Sequence, residues 1–404
     1  MDSICATPRG LILASSLGCA ICTCFGVSST EDKVTRTPRL ALMVNIIAPY
    51  RLPIYKALGQ AFDLTVYISG SEGNRSKWAG TITELEQAGV RIVRPWGVTF
   101  QRSVRQGGRV QDLRYLHITP GYLSALFRDR PDAVITNELG TRTIFALLYG
   151  LLTHRPVWVW WGGTLHTERG RGRLKRILRD ILVHWVQRWI SYGESSTTYL
   201  SKLGVPREHI LQIQNAVNEA TYSKPVPALM TIQPRPVLLY VGQMIGRKGV
   251  SALMESAARI QHEGYVFTLL LVGGGPEQKE LEQLAAVLNL RNVHFLPPQA
   301  PEGMPAVYRS ADCLVFPTLE DVWGLVVNEA LWSGLTVLSS VYAGCTEEIV
   351  PEQNRFDPLN ADDFDRALRL AVTGGLAKAD TSPLLPTSEV SERIASDIRR
   401  RLGV

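Results

Sequence analysis

The sequence predicts an α/β protein made of two tandem doubly wound domains that face each other across a cleft. Three observations carry this expectation. Short apolar runs alternate with helical patterns in two separate series, a proline-rich break divides the series, and the two halves carry opposite charge. The chain has 404 residues, room for two or three domains. Its 45% apolar and 20% charged residues exclude a disordered chain, a collagen-like chain and a small disulfide scaffold. Residues 39–214 hold 24 Lys/Arg against 12 Asp/Glu, a net +12, whereas residues 237–404 hold 14 against 21, a net −7. The basic half is the one expected to face an anionic partner.

Residues 1–38 read as a leader, either disordered or membrane-associated. An uncharged stretch from Gly10 to Val27 sits at the lower limit for spanning a bilayer. Its Ser, Thr and Gly content and its balanced flank (Arg9 against Asp2) make a poor signal peptide, and a start placed too far upstream fits equally. Cys5, Cys19, Cys22 and Cys24 fall in this leader, with no second Cys or His pair at zinc-ligand spacing. Cys313 and Cys345 are the two cysteines of the body, too few for a disulfide framework, so the body reads as cytoplasmic.

The first series spans 39–214. Residues 40–46 form a buried strand, and Ala48–Arg51 make a loop that enters a helix near Pro53, a residue tolerated in a first turn. Further strands are expected at 64–68, 133–136, 156–161 and 188–192. Helices fall at about 119–129, 141–153, 171–186 and 194–203. Alternation of this kind specifies a parallel sheet covered on both faces. Residues 215–236 contain Pro225, Pro227, Pro234 and Pro236 and read as a linker. The second series, 237–384, has strands at 237–241, 267–272, 293–296, 312–316 and 335–339, with helices at about 248–263, 277–288 and 325–333. A last helix closes the chain over 385–404, with Ser388 a candidate cap. Ligands of such sheets bind at the carboxyl ends of the strands, so the cleft between the domains is the expected site.

Three loops could carry chemistry. The turn Gly242–Gly249, which includes Gln243, Arg247 and Lys248, follows a strand and opens a helix. Glycines there let a backbone approach a ligand, and helix amides and basic side chains suit phosphate. It is not a Walker A loop, and an ordinary turn with solvated basic residues fits it equally. The run Gly273-Gly274-Gly275-Pro276 lacks the spacing of a dinucleotide fingerprint, and tight packing suffices to explain it. The segment Pro317–Leu331 is the most informative. It places Glu320 and Asp321 in a loop, then Gly324, then a helix bearing Glu329 two turns in. The Asp321–Glu329 interval lets both carboxylates face one cleft.

These residues resemble the donor-site motif of retaining glycosyltransferases of family 4. The Gly242–Gly249 turn, Gly273–Pro276 and Phe295-Leu296-Pro297 fall in family order. Ala48–Pro53 (APYRLP) and Trp161–Arg169 (WGGTLHTER) resemble bacterial members acting on cell-surface polysaccharides. The resemblance runs from about residue 40 to 350. It implies a GT-B fold and metal-independent transfer of a sugar from a nucleotide sugar, UDP favoured, to a glycan or lipid-linked acceptor with retention. No cofactor and no metal are expected. Carried onto this sequence, Asp321, His166 and Lys248 are the expected catalytic residues. Donor binding would involve Gly242, Gln243, Arg247, Lys248, Gly273, Phe295, Leu296, Asp321, Gly324, Leu325, Val326 and Glu329. Lys248 would meet the pyrophosphate, Glu329 the ribose and Phe295-Leu296 the base, while Tyr50, Arg51 and Glu168 are assigned to the acceptor side.

Two positions depart from the family. Its first acidic residue, a Glu, is Asp321 here with Glu320 before it, so either could fill the position; the spacing to Gly324 and Glu329 favours Asp321. The family's loop Arg is Gln243 here, which removes one cationic phosphate ligand, and Arg247 is the candidate to compensate. His166 follows a strand and two glycines, yet a lone His is more often structural. Trp158 and Trp160 alternate in a strand, which favours core over sugar stacking. Arg169–Arg188 is a basic stretch with interleaved Ile177, Leu178, Ile181, Leu182 and Trp185; it suits either a solvated core helix or one lying on an anionic membrane. The expected location is therefore cytoplasmic, peripheral on the inner face of the membrane. Competing readings are a nucleotide-sugar epimerase or phosphorylase on the same plan, or an inactive sugar-nucleotide-binding relative. The basic surface has no nucleic-acid reading motif, so no nucleic-acid partner is expected.

Overall fold

The computed structural model describes residues 36–69, 80–106, 109–169 and 172–404. The expectations for residues 1–35 and Arg171 lie outside the described residues, as do the side chains of Arg173, Lys175, Arg176 and Leu178. Residues Thr37–Val404 form one compact unit.

Among the described residues nine strands belong to the basic half: β1 (Arg39–Val44), β2 (Asp63–Ile68), β3 (Arg91–Val93), β4 (Val98–Gln106), β5 (Arg109–Ile118), β6 (Ala133–Asn137), β7 (Val157–Trp161), β8 (Arg188–Tyr192) and β9 (Ile210–Ile213). Seven make a parallel sheet in the order β3-β2-β1-β6-β7-β8-β9, and β4 pairs with β5 as an antiparallel hairpin. The acidic half contributes β10 (Val237–Gln243), β11 (Thr268–Gly274), β12 (Val293–Leu296), β13 (Cys313–Phe316), β14 (Thr336–Ser340) and β15 (Arg355–Phe356). They form a second parallel sheet in the order β12-β11-β10-β13-β14-β15. Both are doubly wound sheets, with the chain reversing direction across the sheet after β3 and after β12.

Strand alternation builds a separate core on each face. Leu40, Leu42 and Val44 enter one core with Ile54 and Leu58 of helix Leu52–Ala61, while Ala41 and Met43 enter another with Tyr122 and Tyr149. In the second sheet Leu239 faces the first core, whereas Leu238 and Tyr240 pack against Leu253, Ala257 and Ile260 of helix Val250–His262. Each such side chain contributes about 1.5–3 kcal/mol by leaving water. These runs are apolar throughout because both faces of a parallel sheet are covered.

The structure adds elements that the sequence pattern did not mark: β3, the hairpin, β9, β15, and helices Gly80–Gln87 and Ala361–Thr373. It also corrects the last helix. That helix spans Thr387–Leu402 after Pro386, so Ser388 lies inside the first turn and is not the cap. Thr387 Oγ1 donates to Glu219 Oε2 at 2.9 Å instead. Nor does the helix stay with the acidic half. It packs on Leu52–Ala61, and its buried Val390, Ile394 and Ile398 share the core of the first sheet. Trp158 Nε1 donates to Asp397 Oδ2 at 2.8 Å to pin it there. The 215–236 segment contains a short helix, Glu219–Tyr222.

Candidate functional site

In the second sheet, β10 and β13 are neighbours whose connections leave in opposite directions, which opens a crevice at their carboxyl ends. The loops after these strands are sewn together. Leu319 N donates to Arg247 O at 2.8 Å, and Arg247 Nη1 donates to Glu320 O at 3.2 Å. Gly249 makes the approach feasible. It has φ 68°, and a Cβ there would stand 2.1 Å from Pro317 O, so both the backbone conformation and the space require glycine.

At the floor of the crevice Lys248 Nζ pairs directly with Asp321 Oδ2. The two side chains are only 12% and 17% exposed. Asp321 Oδ1 also accepts from Trp323 N at 3.2 Å, which fixes the carboxylate. Of the two adjacent acids, Asp321 is thus the one that meets the lysine. Helix Leu325–Trp332 begins just beyond, with Gly324 at its N-cap. Leu325 and Val326 of its first turn are half-buried, and a helix end of this kind attracts anions. Gly242 and Gly273 are register partners at the ends of β10 and β11. Gln243 and Arg247 are exposed.

Three expected donor residues have partners inside the fold. Glu329 accepts from the Tyr308 hydroxyl at 2.6 Å and also meets the Tyr222 hydroxyl; burial pushes its carboxyl up to about 7, against the opposing pull of both phenols. Phe295 packs into the core beneath helix Gln278–Val287, while Leu296, at the end of β12, packs on the opposite face. Tyr308 and Tyr222 had no sequence signal, because their relation to Glu329 exists only in the fold.

The first sheet brings its own loops to this crevice. His166 stacks edge-on against Tyr342, ring centroids 5.0 Å apart. Tyr342 belongs to the loop after β14 that bridges to Asp321, with Gly344 N donating to Asp321 O at 3.1 Å. Burial and then Arg169 lower the His166 pKa, Glu347 opposing them, so the ring is neutral at pH 7. The halves meet through Ser195 Oγ, which donates to Gly344 O at 3.0 Å, and through Glu348, which accepts from Glu194 N at 3.1 Å and Gln214 Nε2 at 2.8 Å. Gly193, at φ 62°, allows this contact: a Cβ would lie 2.3 Å from Glu348 Oε2 and 2.5 Å from the Trp323 ring.

Tyr50, Arg51 and Glu168 line a separate cavity of about 340 Å³ at the carboxyl ends of β1, β6, β7 and β8. Glu168 pairs with Arg179, and Arg179 lies over the Trp161 ring at 5.0 Å. Trp158 and Trp160 are buried, and Trp160 also forms a wall of this cavity. Arg142, Asn137 and Asn215 line it too, and sequence reasoning did not single them out. Cys313 and Cys345 are buried free thiols. Among the described residues no group of three or more His, Cys, Asp or Glu could hold a metal ion.

Residues 230–381 match the family model for glycosyl transferases group 1. The lipopolysaccharide glucosyltransferase WaaG of Escherichia coli K12 is 31% identical over 141 residues, 34% of this chain and 37% of WaaG. The putative colanic acid biosynthesis glycosyltransferase WcaL of the same organism is 25% identical over 211 residues, 50% of this chain and 51% of WcaL. These alignments span about half or less of the curated relatives. Among solved structures, HepE of Anabaena in complex with UDP has a TM-score of 0.62 at 17% identity, covering 91% of this chain and 96% of HepE. The lipopolysaccharide outer core galactosyltransferase WaaB has a TM-score of 0.65 at 14% identity, covering 89% and 99%. The fold is therefore that of the GT-B glycosyltransferases.

The raised Glu329 pKa has a sign. A carboxyl near 7 in the folded state, against its ordinary 4.5, holds extra protons when folded. Folding stability therefore falls as pH rises from about 4.5 to 7 and levels off above. Chemical denaturation of wild type and Glu329→Gln should show a difference that grows across this window to at most about 3 kcal/mol.

Proposed function

We propose that the chain is a group 1 glycosyltransferase that moves a sugar from a nucleotide sugar to an acceptor in the synthesis of a bacterial surface polysaccharide or glycolipid. The observation that carries this reading is the Lys248–Asp321 pair at the crevice of β10 and β13, within the stretch that matches the family. HepE was solved with UDP and with UDP-glucose, which favours a UDP-sugar as donor here.

In this reading the donor pyrophosphate takes Lys248 Nζ and the open amides at Gly324–Val326. Fixed donors of this kind stabilise the charge that grows on the leaving phosphate without moving. Asp321, released from the lysine, turns to the sugar, and Glu329 takes the ribose hydroxyls. The neutral His166 ring offers a hydrogen bond to the transferred sugar. The bond from the anomeric carbon to the phosphate oxygen breaks and the acceptor oxygen forms the new one on the same face. The acceptor proton passes to the departing phosphate, which leaves as the nucleoside diphosphate. The residues need no cofactor or metal for these steps.

A second part of the proposal concerns location. Ile177, Ile181 and Trp185 stand on the exposed face of helix Arg173–Trp185, with Trp185 60% exposed. Leu151 and Trp185 line one hollow together with His154, Arg155, His184 and Arg401, and Ile144, Leu148 and Leu152 extend the apolar surface. An apolar patch edged by cations suits an anionic bilayer surface. No helix of the described residues is long and apolar enough to cross a membrane.

Release of nucleotide from a panel of UDP-, GDP- and ADP-sugars, with EDTA present, tests the reaction. Slow hydrolysis of one donor, lost in Lys248→Ala and Asp321→Ala, is the expected result. Hydrolysis indifferent to both changes rejects the site. Conversion of the donor to an epimeric sugar would instead establish an epimerase, and tight nucleotide binding without turnover, acceptor extract included, a binding protein. For the surface, sedimentation with phosphatidylglycerol vesicles should fall several-fold in Ile181→Glu/Trp185→Glu, and neutral vesicles should bind weakly throughout.

A further inference from the structure

The cavity of the first sheet holds a guanidinium that has no ion-pair partner among the described residues. Arg51 is 5% exposed, and its Nη1 has no hydrogen-bond partner. Its guanidinium lies 4.2 Å from the Trp160 ring centroid and 5.0 Å from that of Tyr192. Aromatic faces hold a cation in place, but they satisfy none of its N–H donors. A buried guanidinium without an acceptor is costly; of the two carboxylates that line this cavity, Glu168 pairs with Arg179 and Glu138 is exposed at its edge, and neither bonds Arg51 among the described residues.

Three other buried polar atoms of residues lining this cavity are unpartnered as well, and they are of both kinds. Asn137 Oδ1 and Asn215 Oδ1 are acceptors without donors, and Trp160 Nε1 is a donor without an acceptor. All three residues line the same cavity as Arg51. Arg142, 8% exposed, adds a second guanidinium whose partners there are neutral: Asn45 Oδ1, Ser69 Oγ and Asn137 O. A site lined this way asks for a ligand with an oxyanion for the guanidinium and hydroxyls for the two amide oxygens. Val322, next to Asp321, forms part of the cavity wall, so the cavity adjoins the loop expected to hold the transferred sugar.

We infer that this cavity binds an anionic sugar, one bearing a phosphate or a carboxylate, with Arg51 on the oxyanion and Asn137 and Asn215 on its hydroxyls. The inference rests on the transferase reading in naming this sugar as the acceptor end. Binding of the sugar itself does not.

Calorimetry with UDP present tests it, using D-glucuronate, D-glucose 1-phosphate and neutral D-glucose as probes. Wild type should bind at least one charged sugar about tenfold or more tighter than glucose, as expected for a charge-assisted contact, and the two charged probes separate phosphate from carboxylate. Arg51→Met should abolish the preference, Arg51→Lys should keep part of it, and UDP affinity should stay within about twofold in both, which shows that the variants are folded. No charge preference in wild type, or a preference that survives Arg51→Met, overturns the inference. So does a large loss of UDP affinity in Arg51→Met, since the guanidinium would then serve the donor pyrophosphate. If the preference holds but no nucleotide sugar is turned over, the anion site stands and the transferase reading fails.

Discussion

The contact between Lys248 and Asp321 is the constraint on which the rest of the site depends. Two opposite charges are held away from most solvent at the one place where the second sheet opens. An ion pair of this kind gives little net stability, because each charge has lost much of its hydration. Its value lies in position. The lysine is held ready, and its partner is one that a more highly charged ligand can displace. A diphosphate offers the lysine more negative charge than one carboxylate does, and helix Leu325–Trp332 starts four residues after Asp321. In the proposed function the pair is a placeholder for the donor.

Several features exist to bring that pair together. Gly249 lets the turn after β10 press against Pro317, and the Arg247–Glu320 and Leu319–Arg247 hydrogen bonds hold the two loops in one frame. The loop after β14 is tied to Asp321 and carries Tyr342 to the face of His166. Gly193 and Glu348 close the seam between the halves. The last helix, anchored by Trp158 and Asp397 on the first sheet, crosses back from the acidic half and ties the two together a second time. The cavity that holds Arg51 is bounded by Val322, the residue after Asp321.

Much of this was legible in the sequence. The ten central strands stood out because a parallel sheet covered on both faces needs continuous apolar runs, such as VLLYV at 237–241 and FTLLLV at 267–272. Spacing from Gly324 and Glu329 favoured Asp321 over Glu320, and in the structure Asp321 is the acid that pairs with Lys248. The hairpin β4–β5 was missed because its segments, VTFQRSVRQ and RVQDLRYLHI, mix polar and apolar residues without a continuous apolar run. Strand β9 has four residues at a sheet edge, too short for a periodic signal. The return of the last helix, the Tyr308–Glu329 contact and the cage around Arg51 join residues 21 to 239 positions apart. Composition and periodicity are local, so they carry no information about such partners. Arg51 and Glu168 were assigned to the acceptor side by resemblance, and their chemistry, one unpaired and one bound to Arg179, became visible only in the fold.

The central claim is that Lys248 serves the phosphates and Asp321 the sugar. Calorimetric titration of UDP itself, which lacks the sugar, separates the two roles. The account predicts that Lys248→Ala weakens UDP about tenfold or more, the value of a charge-assisted hydrogen bond. Asp321→Ala should leave UDP affinity unchanged or tighter, because it frees the lysine. UDP binding that drops equally in both variants, or that ignores Lys248→Ala, would contradict it.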